Sequence, residues 1–438
     1  MRPARGGGAP EVPFRNQQQT IGHQSSVSYR QPMKPHRVVL AAVAALCSVT
    51  AAELPSDLPK PREIPGVEKS VIVTATPAAP KHGEQTVIKL KDGRLLLLWS
   101  EFMRTDLMPA AERPADSPLR RDPTGDDGYA RISGMTSADG GRTWSKPAVV
   151  VDDKDALVNC ISPGLTRMKD GRLLLAYSWR SGGNGAANYG NCAKMVRISA
   201  DEGKTWSART RITPDNTEYH TGCADRAYTL ENGRVIVQCH TIFPPDKSRP
   251  AGGAEAHMGT YYAYSDDNGA TWKRSAVQTD PLRGRFEEAT LVQRGDGSLL
   301  QFIRSRNGQS FAGESADLGA TWTTPKPSGV VTSLTPSVLK RLPGSNDLLL
   351  LWNPNFNPDA RLLGLRCPLL CAVSKDGGRT WGLPKALETN DQFYWEYPSV
   401  TFDGDHALIH YRVFPLDRKR CDLVQARVPL SWFYDDKS

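Results

Sequence analysis

Five aspartates recur in one setting, Ser-x-Asp-x-Gly-x-Thr-Trp, at Asp139, Asp201, Asp267, Asp317 and Asp376, spaced by 62, 66, 50 and 59 residues. Repeated carboxylates beside hydroxyls could do acid–base work. The setting argues for structure instead. Ser and Asp side chains in such a turn bond local backbone N–H groups, Gly takes the left-handed position, and Trp closes the gap between strands. His220, His240 and His257 fall close together but lack the spacing of an H-E-x-x-H site. Cys367 and Cys371 form a C-x3-C without a second pair, which argues against zinc. No metal and no cofactor are expected. Residues 182–190 (GGNGAANYG) are glycine-rich but precede no helix, so they read as a loop and not as a phosphate cradle.

The elements that carry these residues follow from a second repeat. Apolar stretches flank tight turns at Asp92-Gly93, Asp170-Gly171, Asn232-Gly233, Asp296-Gly297, Ser345-Asn346-Asp347 and Asp403-Gly404. Such turns between apolar runs are the strongest short hairpin signal. Each unit therefore reads strand, tight turn, strand, loop, strand, aspartate turn, strand. Four antiparallel strands make one propeller blade. Six hairpins predict an all-β fold, a six-bladed β-propeller over residues 53–438. The sixth unit has no aspartate turn, and residues 70–74 (SVIVT) are predicted to supply its missing strand. Hairpins and aspartate turns share one end of this fold. A site on the opposite end draws on the starts of first and third strands and on the ends of second strands.

Composition bounds the rest. The chain has 438 residues, 39% hydrophobic and 23% charged, enough for a large core. Residues 1–52 carry six basic side chains against Glu11 alone, so only +3 of the net +8 belongs to the remainder, which argues against a nucleic-acid partner. Residues 38–52 (VVLAAVAALCSVTAA) are too short to span a membrane; with Lys34 and Arg37 before them and small residues after, they read as a secretory signal. Met33 is the natural start of such a leader. The expectation is an exported protein, periplasmic or extracellular, not inserted in a membrane after cleavage near Ala52. Seven cysteines then remain, suited to packing or to a disulfide or two.

The aspartate turns resemble the Asp boxes, or BNR repeats, of the sialidase (neuraminidase) superfamily, over essentially all of residues 70–435. The resemblance implies a secreted exo-acting glycoside hydrolase that cleaves terminal sialic acid or a related acidic sugar from a glycan, and it implies roles residue by residue. Glu288 before the fourth hairpin resembles the glutamate that activates the nucleophile, with Glu287 a competing register. Arg304, 16 residues on, and Arg366 resemble arginines that grip the substrate carboxylate, with Arg306 a rival to Arg304. Tyr397, 31 residues after Arg366, resembles the nucleophile, with Tyr394 and Glu396 nearby. Tyr nucleophiles are an exception to the two-carboxylate scheme of glycosidases. Asp127, or its neighbour Asp126, resembles the general acid. One departure stands out: where the family's R-I-P motif places its first arginine, this chain has Glu84. Either Arg131, Arg180 or Arg226 fills in as a substrate-binding residue, or the substrate differs. The alternatives are a glycan-processing enzyme of other specificity, acting on uronate or sulfated polysaccharide, and a non-catalytic carbohydrate-binding propeller.

Overall fold

The computed structural model describes residues 61–114, 125–182, 190–242, 257–280, 285–360 and 362–435. The leader within residues 1–52, and most of the glycine-rich loop, lie outside the described residues.

Six antiparallel sheets form a six-bladed propeller. The first blade comprises Lys81–Lys89, Leu95–Phe102, Ala130–Ser137 and Ala148–Val151. The second comprises Asn159–Arg167, Leu173–Arg180, Cys192–Ser199 and Thr210–Arg211. In the third, the inner strand is broken into His220–Thr221 and Ala227–Thr229, followed by Val235–Ile242 and Met258–Ser265, with Lys273–Arg274 and Gln278–Thr279 outside. The fourth comprises Glu287–Gln293, Leu299–Arg304, Gln309–Ser315 and Lys326–Val331. The fifth comprises Val338–Arg341, Leu348–Trp352, Leu369–Ser374 and Lys385–Glu388.

The sixth blade closes the ring. Phe393–Asp403, His406–Pro415 and Asp422–Pro429 are joined by Glu68–Val73, which pairs antiparallel with Asp422–Pro429. The predicted closing strand is thus the observed one. Closure ties both ends of the propeller into one sheet and leaves no blade short of an outer strand.

The second strands are buried on both faces, as Leu95–Phe102 and Leu173–Arg180 illustrate. Their apolar side chains pack between blades: Leu97, Trp99, Leu408 and Leu423 join blades one and six, and Leu98, Leu165 and Leu175 join blades one and two. The aspartate turns add staples. Asp267 accepts from Thr271 N at 2.8 Å and from the hydroxyls of Ser265 and Thr271 at 2.7 and 2.5 Å. The tryptophan that follows each turn leans on the preceding blade: Trp322 stacks on Tyr262 at 4.8 Å, Trp381 meets Phe302, and Trp144 meets His410.

The seven cysteines from Cys160 to Cys421 are all buried thiols. They serve as small packing residues, not as disulfides.

Candidate functional site

The inner strands carry a shared irregularity that the spacing of apolar residues does not show. Register shifts lie between Gly83 and Thr86, Ile161 and Gly164, Glu287 and Thr290, and Glu396 and Ser399. The first residue of each bulge has positive φ: Glu84 (55°), Ser162 (58°), Glu288 (34°) and Tyr397 (53°). Asp225 (54°) stands at the break in the third blade's inner strand. Non-glycine residues rarely occupy this region, and such strain clusters where a side chain must be aimed. The predicted nucleophile, its base and the glutamate replacing the first arginine therefore share one device.

Tyr397 and Glu288 meet across the ring. The Tyr397 hydroxyl donates to Glu288 Oε1 at 2.9 Å and accepts from Arg304 Nη1 at 3.2 Å. Arg304 also pairs directly with Glu288 Oε2. Burial pushes the Tyr397 phenol well above its usual range; the Glu288 charge adds to this, while Arg304, Arg412 and Arg366 oppose it. The phenol is therefore neutral at rest, and its proton has one carboxylate within reach.

Glu396, fully buried, organises the cations. It pairs with Arg366 through Oε2, and with Arg412 Nε at 2.9 Å and Arg418 at 3.3 Å through Oε1. Burial resists its ionisation, but the three guanidiniums hold the carboxyl well below the usual range. The Arg412 guanidinium lies over the Tyr397 ring at 3.9 Å, and that of Arg366 lies at 5.8 Å. Arg366 sits just ahead of Leu369–Ser374, not within it, and also donates to Leu334 O at 2.8 Å.

The three arginines expected to fill in each have a partner within the fold. Arg131 bonds Glu101 at 2.8 Å. Arg180 donates to Asp126 O and approaches Asp127 at 3.4 Å. Arg226 is buried and donates to the backbone oxygens of Ser337 and Asp225, a strap across the ring wall. An arginine that the sequence reading did not name, Arg412, lies against Tyr397 instead. It pairs in register with Glu396 across its hairpin, as Arg304 pairs with Glu287 across blade four. That equivalence, an arginine of the second strand set opposite the glutamate just ahead of the inner-strand bulge (HALIHYR beside LLQFIR), is the available signal. Glu84 faces Arg412 at 3.4 Å and accepts from Ser162 Oγ at 2.7 Å and Ser100 Oγ at 3.4 Å.

The loop aspartates divide. Asp127 turns to Arg180, whereas Asp126 accepts from Lys81 Nζ at 2.8 Å. Lys81 first, then Arg412 and Arg180, hold the Asp126 carboxyl well below its usual range. Glu287, the rival register to Glu288, pairs with Arg285 at 2.5 Å. Tyr394 lies under Arg418, at 5.0 Å. His220 bonds Tyr261, and His240 lies against Tyr219; burial pulls both imidazoles down to about 4.

Comparison with known proteins agrees with the fold. The profile of the BNR repeat-like domain matches residues 124–410. The chain belongs to this family. It is 26% identical over 229 residues to a sialidase of Paraclostridium sordellii, which covers 48% of this chain and 53% of that protein. The chain spans about half the length of the curated relatives it matches. Among solved structures, a Dyadobacter fermentans protein of unknown function superposes with a TM-score of 0.62 at 20% identity, covering 84% of this chain and all of that one. Trypanosoma rangeli sialidase in complex with sialic acid superposes at 0.59 and 16% identity, covering 83% of this chain and 59% of that one. This BNR propeller is thus a sialidase-like member of the superfamily.

Proposed function

We propose that this BNR protein is an exported, retaining, exo-acting glycoside hydrolase that releases a terminal acidic sugar, sialic acid or a relative, from glycans. The contact that carries the reading is Tyr397 Oη to Glu288 Oε1 at 2.9 Å, with Arg304 on the same oxygen. Tyr397 attacks the anomeric carbon while Glu288 takes its proton. The charge that develops on the phenolate meets Arg304 at its oxygen and Arg412 on its ring face. A phenol suits a substrate whose own carboxylate would repel an anionic nucleophile. Arg304, Arg366 and Arg412 form the anion clamp, Arg412 standing in for the arginine that Glu84 replaces. Asp126, on the Lys81 side of the site, or Asp127, beside Arg180, protonates the leaving oxygen, and either carries that proton only once substrate has displaced it from its cation.

One observation favours a second specificity. Glu84 is buried beside Ser162 and Arg412, so one wall of the clamp is negative. A carboxylate there opposes a second carboxylate but accepts a hydroxyl, which favours a sugar that turns a hydroxyl to Glu84 and its acid group to the arginines, such as a uronate. The experiment is release of 4-methylumbelliferone from its α-N-acetylneuraminide and from uronides by the purified protein. Turnover of the neuraminide establishes the first reading, turnover of a uronide alone the second. A folded protein that turns over neither and binds glycans is a lectin-like propeller.

A further inference from the structure

Lys81 is 2% exposed, and its ammonium is paired with a carboxylate from a loop. Its backbone is fixed on both sides, by pairing with Phe102 and by a bridge to Cys421 of blade six. The ammonium lies over the Phe102 ring at 4.0 Å, and its carboxylate partner is Asp126 at 2.8 Å. That partner is the opposite in character: the Asp126 side chain is 71% exposed. A buried, immobile cation therefore meets a solvent-facing loop carboxylate, with Arg412 and Arg180 completing the positive surround. Arg180 and Asn159 hold the loop through the Asp126 backbone oxygen, leaving the carboxylate itself replaceable.

We infer that Lys81 forms a second anion-binding site, adjoining the Arg304–Arg366–Arg412 clamp on its Arg412 side, that is filled at rest by the chain's own Asp126 and takes a carboxylate of the glycan on the leaving-group side. Exchange of one carboxylate for another conserves charge at Lys81 and frees Asp126. The freed carboxyl loses the neighbour that holds it ionised, which is what a general acid requires. The inference deepens the glycosidase reading by naming a substrate class, a sugar acid linked to a further uronate-bearing unit.

The test reads binding, not turnover, so its failure and failure of the glycosidase reading remain distinct. Calorimetric titration with sodium glucuronate is compared for the wild type, Asp126→Asn, Lys81→Met and the double variant, with neutral methyl glucoside as control. A tethered carboxylate competes at an effective concentration of about millimolar or more, so Asp126→Asn is expected to tighten glucuronate about tenfold. In the Lys81→Met background that gain is expected to vanish. An Asp126→Asn protein that binds no tighter than wild type overturns the inference, as does a gain that survives without Lys81 or is matched by the glucoside. Should Lys81→Met fail to fold, Lys81→Gln takes its place with the same expectation.

Discussion

Tyr397→Phe separates a nucleophile from a strand aromatic, because the structure predicts opposite scales for its effects on stability and activity. The ring keeps its contact with Arg412, and only the hydroxyl with its 2.9 and 3.2 Å contacts is lost. Glu288 retains Arg304, so no buried charge is orphaned. The stability cost is that of one net hydrogen bond, about 1 kcal/mol. In a domain of this size that lowers Tm by about 2 °C. Turnover, by contrast, loses the atom that attacks carbon, and kcat is expected to fall by about 10³-fold or more. Glu288→Gln removes the proton acceptor and is expected to cost about 10²- to 10⁴-fold. Because the pair acts as a unit, the double variant should be within about threefold of Tyr397→Phe alone. The assay is fluorogenic release at saturating and sub-saturating substrate, beside calorimetric Tm. A folded Tyr397→Phe protein with more than a tenth of wild-type kcat, or effects that multiply in the double variant, would refute the reasoning.

Three further outcomes follow from other parts of the molecule. Arg412→Met should lower kcat/KM by about 10- to 100-fold, the worth of a charge-assisted contact, whereas Arg131→Met, whose guanidinium serves Glu101, should leave it nearly unchanged; equal effects would remove Arg412 from the clamp. Asp267→Ala should lower Tm, since three hydrogen bonds converge on that carboxylate, while KM and kcat stay unchanged; a selective loss of kcat would make the turns catalytic. Stability should fall with acid below pH 6.5, because His82, His220, His240 and His410 are held neutral by burial down to about 4. At pH 5 the unfolded chain then binds more protons than the folded one, so stability rises with pH across that window; calorimetry in buffers of different ionisation enthalpy should show uptake of about three protons on unfolding, and uptake below one would contradict the burial of these imidazoles.

The blades were legible because they repeat. A turn pattern that returns five times fixes strand count and order without any tertiary information, and residues 70–74 were identifiable as the closing strand because the sixth unit lacked one. Glu288, Arg304 and Tyr397 were legible as well, since their places beside the hairpins set which end of the propeller they face. What the linear pattern hides is the bulge. It lets the first inner strand begin at Lys81, well ahead of the apolar run at 86–90, and it turns Glu84 and Tyr397 inward from within their strands. Arg131, Arg180 and Arg226 look equivalent to Arg412 as arginines on the correct end. Register separates them: Arg412 lies opposite Glu396, next to Tyr397, while Arg131 lies opposite Glu101. The cysteines mislead for a related reason, because pairing depends on proximity that spacing does not encode.

The polarity of the Glu84–Arg412 pair bears on what the site accepts. A buried guanidinium without a counter-charge is costly, and the structure avoids this everywhere near Tyr397: Arg304 has Glu288, Arg366 has Glu396, and Arg412 has Glu396 and Glu84. An arriving carboxylate therefore meets arginines that are oriented but already neutralised, and its gain comes from geometry and added hydrogen bonds more than from net charge. Apart from Arg412, the partners of Glu84 are the hydroxyls of Ser162 and Ser100. Replacing it with glutamine keeps the hydroxyl contacts and removes half of the charge opposing Arg412. That change should tighten any singly charged sugar acid, through KM and not kcat. A substrate that instead uses Glu84 as a hydrogen-bond acceptor for a hydroxyl would be rejected by the same variant. The sign of the Glu84→Gln effect on KM thus distinguishes a clamp that merely tolerates Glu84 from one built around it.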